Sequence, residues 1–128
     1  MPAWDEYKSI AKSRGALALE LFVVESTPEK GPEALQANLP DHLAYQAKME
    51  ETGHLVLAGP LSDDTGEQIN GAGMILYRAG DMDAARAIAD ADPMHATGTR
   101  SYRIRKWLIN EGSLTISVGL STGSANLS

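Results

Sequence analysis

Residues 54–90, HLVLAGPLSDDTGEQINGAGMILYRAGDMDAARAIAD, decide the architecture. His54–Pro60 is a short apolar run that stops at a Gly-Pro break, which reads as a strand. Leu61–Asn70 is polar and acidic and reads as a loop. Gly71–Tyr77 is a second strand, with Met74 and Leu76 opposite Ile75 and Tyr77. Asp81 then caps an alanine-rich helix, Met82–Asp90, whose Met82, Ala85, Ile88 and Ala89 share one face. Two strands in direct succession, followed by a helix, set the pattern that the flanks must complete.

Upstream, Ala16–Val24 reads as a strand with apolar residues on both faces, as in a strand covered on two sides. Glu25–Gly31 holds Pro28 and Gly31 and is expected to be a loop. Pro32–Ala37 is at most one helical turn. The main helix is expected to start at Asn38-Leu39-Pro40-Asp41, with Asn38 as cap and Pro40 in the first turn, and to stop at Gly53. Downstream, Ser101–Ile109 is the last strong strand. Leu114–Val118 adds a short edge strand at most, and GLSTGSANLS lacks a core-forming pattern and is expected to be mobile. Pro2, Trp4, Tyr7, Ile10 and Ala11 mark a short leader helix closed by Gly15. The chain thus divides into a helical extension at 1–15, a domain at 16–110 and a C-terminal extension at 111–128. The domain order, βαββαβ, is the ferredoxin-like α+β arrangement, with two helices on one face of an antiparallel sheet. The strands look apolar on both faces, so the helix-free face needs a cover. A second copy of the chain supplies one, which predicts a homodimer.

Composition sets further bounds. The 128 residues are 43% hydrophobic and 22% charged, one ordinary domain. There is no cysteine, which removes disulfides, thiolate metal sites and cysteine nucleophiles. Seventeen acidic residues against eleven basic ones argue against nucleic acid or an anionic membrane as partner. No apolar run approaches the roughly 18 residues of a membrane span. The N-terminus, MPAWDEYKSIAKSRG, lacks the apolar centre of a secretory signal, so a cytoplasmic location is expected. Gly71-Ala72-Gly73 completes neither a phosphate loop nor a dinucleotide fingerprint, and no G-x-S-x-G elbow is present. No cofactor is expected.

Three segments carry a family likeness: DHLAYQAKMEETGHLVLAGPL at 41–61, GAGMILYRAGDMDAARAIADADPM at 71–94 and SYRIRKWLI at 101–109. With a histidine in the first domain helix, Gly53, Gly59 and Pro60 punctuating the second strand, and Asp92-Pro93 after the second helix, the chain resembles the YCII-related (YciI-like) family. The likeness covers roughly residues 16–110. It implies a dimeric α+β barrel and a cleft holding a histidine and an aspartate. The wider fold group includes enzymes that move protons on small ring compounds, an analogy at the level of fold.

His42 is the foremost candidate for chemistry. A place in the first turn of a helix from Asn38 sets it against the positive helix end, which disfavours the imidazolium and suits a general base. Tyr45, Gln46 and Met49 share its side. Asp92 is the partner that would orient the imidazole; it also suits the cap of a short turn, Pro93–Ala96, and one carboxylate can serve both ends. His95, three residues on, is close enough to enter the same site. Tyr45, Gly59, Pro60, His95 and Arg103 are the candidate substrate contacts. Arg103 and Arg105 could hold an anion, or simply guard a sheet edge, with Trp107 beside them at a dimer interface. The three histidines form no H-x-x-x-H or H-x-H pair, so no metal site is expected. Asp63-Asp64 is a lid or a solvated turn.

Two readings follow. In one, His42 and Asp92 form a cofactor-independent proton-transfer pair for isomerisation or elimination on a small, ring-shaped molecule bound in a cleft near the dimer interface. In the other, the domain is a non-catalytic dimeric module that binds a small ligand or docks on another protein. The first requires His42 and Asp92 in hydrogen-bond reach in a concave pocket; the second leaves them apart or the pocket shallow.

Overall fold

A computed structural model describes residues 1–128. Two compact units are distinguishable: Glu20–Trp107, and Met1–Leu19 together with Leu108–Ser128.

The larger unit carries the elements β1 (Leu19–Pro28), α2 (Pro32–Glu51), β2 (Leu55–Ser62), β3 (Ile69–Tyr77), α3 (Met82–Ala91), α4 (Pro93–Ala96) and β4 (Arg100–Ile109), preceded in the chain by α1 (Trp4–Ser13). The four strands lie in the order β2-β3-β1-β4. β3 runs antiparallel to both β1 and β2. This is the ferredoxin-like α+β fold, with β2 and β4 at the two edges.

Register decides which residues face the helices. Phe22 pairs with Tyr77, Val24 with Ile75, and Ser26 with Gly73. These rows alternate with Val23–Leu76 and Glu25–Met74, which must face the other way. The core confirms the sides: Phe22, Val24, Ile75, Tyr77 and Ile104 pack against Ala85 and Ala89 of α3. The alanines let the helix approach closely, and burial of Phe22, Val24 and Tyr77 contributes about 1.5–3 kcal/mol per side chain. β2 carries Pro60 and a register shift on either side of its middle, both tolerated because it is an edge strand.

Several sequence expectations change. The first strand runs Leu19–Pro28 rather than Ala16–Val24, so Glu25-Ser26-Thr27 belongs to the sheet and not to a loop. α2 starts at Pro32, with Gly31 as its extended N-cap. Proline at the first helical position has no N–H to leave orphaned, and Pro40 in the interior removes only one helical bond. Asn38 is therefore not a cap; its Nδ2 donates to Ala34 O at 3.0 Å and to Thr99 Oγ1 at 3.0 Å. Gly53, at φ 84°, ends the helix as expected.

In the smaller unit, α1 runs into Arg14 and Gly15, and the Leu17 amide donates to Asn110 O at 3.0 Å. The tail expected to be mobile instead forms a hairpin: β5 (Ile116–Val118) pairs antiparallel with β6 (Ala125–Leu127).

Candidate functional site

Asp92 is the organising residue. It closes α3 and caps α4, and Pro93 after it holds its backbone extended, at φ -61° and ψ 125°. Its side chain is fully buried. One oxygen, Oδ1, accepts from the Met94 amide at 2.9 Å, the N-cap bond anticipated for this short turn.

The same carboxylate faces His42. His42 Nδ1 lies 2.9 Å from Oδ1 and 2.8 Å from Oδ2. A carboxylate only accepts, so Nδ1 carries the hydrogen. In the neutral ring the lone pair then sits on Nε2. The His42 side chain is 21% accessible while that of Asp92 is 0%, so the pair has a wet end and a dry end. His42 does not stand in a first helical turn. It sits midway along α2, beyond the reach of the helix-end charge, which fades within one turn. Its orientation comes from Asp92.

Around the pair lies a polar cluster. Tyr45, on the His42 side of α2, donates its hydroxyl to Ile88 O at 2.6 Å. Partial burial, with the nearby Asp92 charge, raises the pKa of its phenol. Tyr77, fully buried, donates to Gln46 Oε1 at 3.4 Å, and burial pushes its phenol well up, the Asp92 charge adding to it. Gln46 Nε2, also buried, has no partner.

The candidate contacts divide. Tyr45 and His95 lie on the helix side with His42 and Asp92. Both nitrogens of His95 are already used, Nδ1 with Ala89 O at 2.8 Å and Nε2 with Ser26 Oγ at 2.9 Å. Pro60 belongs to the helix-side row Ser26–Gly73–Pro60, whereas Gly59 pairs with Met74 on the opposite face. Arg103 also faces away from the helices, pairing with Glu25 at 3.0 Å, and Arg105 reaches the same carboxylate at 2.9 Å. Arg103 and Gly59 therefore do not join His42. Asp63 forms a local turn rather than a lid: Oδ1 accepts from the Thr65 hydroxyl at 2.6 Å and its amide at 3.1 Å, and the hydroxyl bond leads in lowering the carboxyl pKa.

Two residues linked to His95 carry no signal in the sequence, Ser26 and Arg100. Ser26 lies in Glu25-Ser26-Thr27, three polar residues in a row before Pro28, a run with no apolar alternation and so no local strand signal. Arg100 opens β4, and its even position puts it on the face of Tyr102 and Ile104.

The chain has hollows on the helix-free sheet face. One, of about 220 Å³, is lined by residues including Val23, Leu57, Gly59, Met74 and Trp107. A second, of about 310 Å³, shares Val23, Met74 and Trp107 with it and extends to Glu25 and Arg105. Neither is lined by His42 or Asp92. No group of three or more acidic or histidine side chains is arranged to hold a metal ion, and no helix is long and apolar enough to cross a membrane.

A ferredoxin-like domain with a buried carboxylate set on an accessible imidazole is the class that these features define. The YCII-related domain model matches residues 20–108, and the chain belongs to that family. Among solved structures it is similar to 5-chloro-2-hydroxyhydroquinone dehydrochlorinase from Burkholderia phenoliruptrix AC1100, in complex with 2,5-dihydroxybenzoquinone. The TM-score is 0.55 at 17% identity, over 68% of this chain and 92% of that one, a likeness of fold. No curated protein matches the sequence.

Proposed function

We propose that the chain is a small enzyme in which His42 carries a proton during elimination from a small, hydroxylated ring compound, with Asp92 as the group that orients it. The contact of His42 Nδ1 with both oxygens of Asp92 carries this reading. It leaves Nε2 as the only basic ring atom and turns it to the accessible end. In the step, Nε2 takes the proton of a substrate O–H or C–H. The released electron pair forms a new double bond and expels the leaving group as an anion. The imidazolium so formed is stabilised by the buried carboxylate and returns its proton to solvent. The dehydrochlorinase with the same fold supports elimination of chloride as the reaction class.

A chloride-release assay on a panel of chlorinated hydroxyhydroquinones tests the proposal. Turnover by the wild type, lost in a folded His42→Ala variant, is the expected result. Activity unchanged in that variant, or no turnover of any member by folded wild type, overturns it.

We also propose that two copies pair through the helix-free sheet face. Its apolar hollow and the exposed Leu57 and Trp107, flanked by the Glu25–Arg103 pair, make a patch with both charges at its rim. Sedimentation should show a dimer that Trp107→Asp dissociates; a wild-type monomer at micromolar concentration refutes it. The position of the hollows on this face, away from His42, also favours a second reading, a non-catalytic ligand-binding module. Binding of the panel compounds that His42→Ala leaves intact and Trp107→Ala abolishes, without turnover, would establish it.

A further inference from the structure

The dyad is held from two sides. On the His42 side, the Asn38 amide donates to Thr99 Oγ1 at 3.0 Å and pins α2 to this fully buried residue just before β4. On the Asp92 side, the support must come through α4, four residues long and too short to hold itself.

The hydrogen bonds that reach α4 have a single sense. Ala89 O can only accept, so His95 Nδ1, 2.8 Å away, carries the ring hydrogen. The Arg100 guanidinium can only donate, and its Nε lies 2.8 Å from Ser26 Oγ. The Ser26 hydroxyl therefore accepts from Arg100 and turns its own hydrogen to His95 Nε2 at 2.9 Å. Donation runs Arg100 to Ser26 to His95 to Ala89. His95 anchors the turn that begins at Asp92, whose carbonyl accepts from the His95 amide at 2.9 Å and the Ala96 amide at 2.8 Å. Arg100 is itself fixed. Its Nη2 donates to Ser26 O at 2.9 Å and to Gly71 O, and it passes over Gly73, where a Cβ would stand 3.9 Å from it.

We propose that Arg100, Ser26 and His95 are positioning residues: a hydrogen-bonded tie from the sheet to α4 that keeps Asp92 in register with His42. The inference rests on the dyad reading above, and it assigns His95 to the support of the site rather than to substrate. Burial lowers the Arg100 pKa while the Asp92 charge raises it, so the guanidinium lies within the field of the carboxylate that it helps to place. The face of His95 is covered by Tyr102, ring centroids 4.8 Å apart, which leaves the imidazole little freedom to turn.

The experiment is nitrogen-15 NMR of the full chain, following both histidines in wild type, Ser26→Ala and Ser26→Thr. In wild type, His95 should be the Nδ1–H tautomer, and the His42 Nδ1 proton should resonate far downfield, as expected of a carboxylate-bonded imidazole. Ser26→Ala should abolish or broaden that His42 signal with the circular dichroism unchanged, and lower kcat about 10- to 100-fold at constant KM, as a small misplacement would. Ser26→Thr, which keeps the hydroxyl, should retain the signal. A wild-type His95 protonated at Nε2 overturns the tie even if Ser26→Ala fails to fold, and so does a sharp, unmoved His42 signal in folded Ser26→Ala. The two proposals fail separately. Loss of the chloride-release result with the NMR result intact removes the reaction and keeps the tie, while the converse keeps the reaction and removes the tie.

Discussion

Replacing Asp92 separates its two jobs, because asparagine and alanine remove different bonds. Alanine deletes the cap to Met94, about 1 kcal/mol, and the charge-assisted bond to His42, about 1.5–3 kcal/mol. A total near 3 kcal/mol lowers the melting temperature by roughly 10 °C in a chain of this size. Asparagine caps a helix as well as aspartate does, so the Met94 bond survives and the loss is about 1–2 kcal/mol. With its oxygen held by Met94, the asparagine NH₂ faces His42 Nδ1. That donor stands in the place of Oδ2, 2.8 Å from Nδ1, and favours a ring that moves its hydrogen to Nε2, against the remaining acceptor Oδ1 at 2.9 Å. The basic lone pair then points inward, and activity should fall by a factor on the order of 10³–10⁴. Urea titration of the three proteins measures the stabilities, nitrogen-15 shifts of His42 the tautomer, and the chloride-release assay the activity. Equal destabilisation by both variants, or an unchanged His42 tautomer in Asp92→Asn, would refute the reasoning.

Other consequences can be checked on the same protein. Tyr77→Phe should destabilise by about 1–3 kcal/mol, since Gln46 is then left with neither polar atom paired, and adding Gln46→Met should recover part of that in a double-mutant cycle. Glu25→Gln, which removes exposed pairs with Arg103 and Arg105, should change stability by less than about 1 kcal/mol and by less still in high salt, read by denaturant midpoint. Stability should also decline in alkali. The phenols of Tyr45, Tyr77 and Tyr102 are all raised above their ordinary value of 10.0, Tyr102 to about 12 through burial and its bond to Asp90. The folded state therefore holds protons that the unfolded state has released, and stability is full below pH 10 and falls from there towards pH 12. Phenolate absorbance followed against the denaturant midpoint tests the sign; a midpoint that rises with pH in that range would contradict it.

The elements that could be read ahead of the structure were those with strong local chemistry. Asp81 before an alanine-rich face and Asp92 before Pro93 each announce a helix start, and each side chain makes its cap bond, to Ala84 at 2.8 Å and to Met94 at 2.9 Å. The start of α2 misled because two local signals competed. Asn38 and Pro40 look like a helix beginning, yet Pro32 had the same right to that position. The Asn38 bond to Thr99, a residue far along the chain, helps hold the longer helix in place. Ser26 and Arg100 were missed for the related reason that neither side chain has a local partner. Their bonds span β1, α4 and β4.

Alternating strand residues and helix caps, which act over a few positions, were enough to determine the ferredoxin-like order, whereas His42 and Asp92 stood out through the family resemblance, and His42 also through a helix start that lies elsewhere. Folding in three dimensions decided the rest: that His42 is oriented by a carboxylate and not by a helix end, that Arg103 and Gly59 face away from it, and that Ser26 and Arg100 are joined to His95. Sheet register and the packing of α2 on α4 set those relations. They depend on contacts between residues far apart in sequence, which no short stretch of the chain contains.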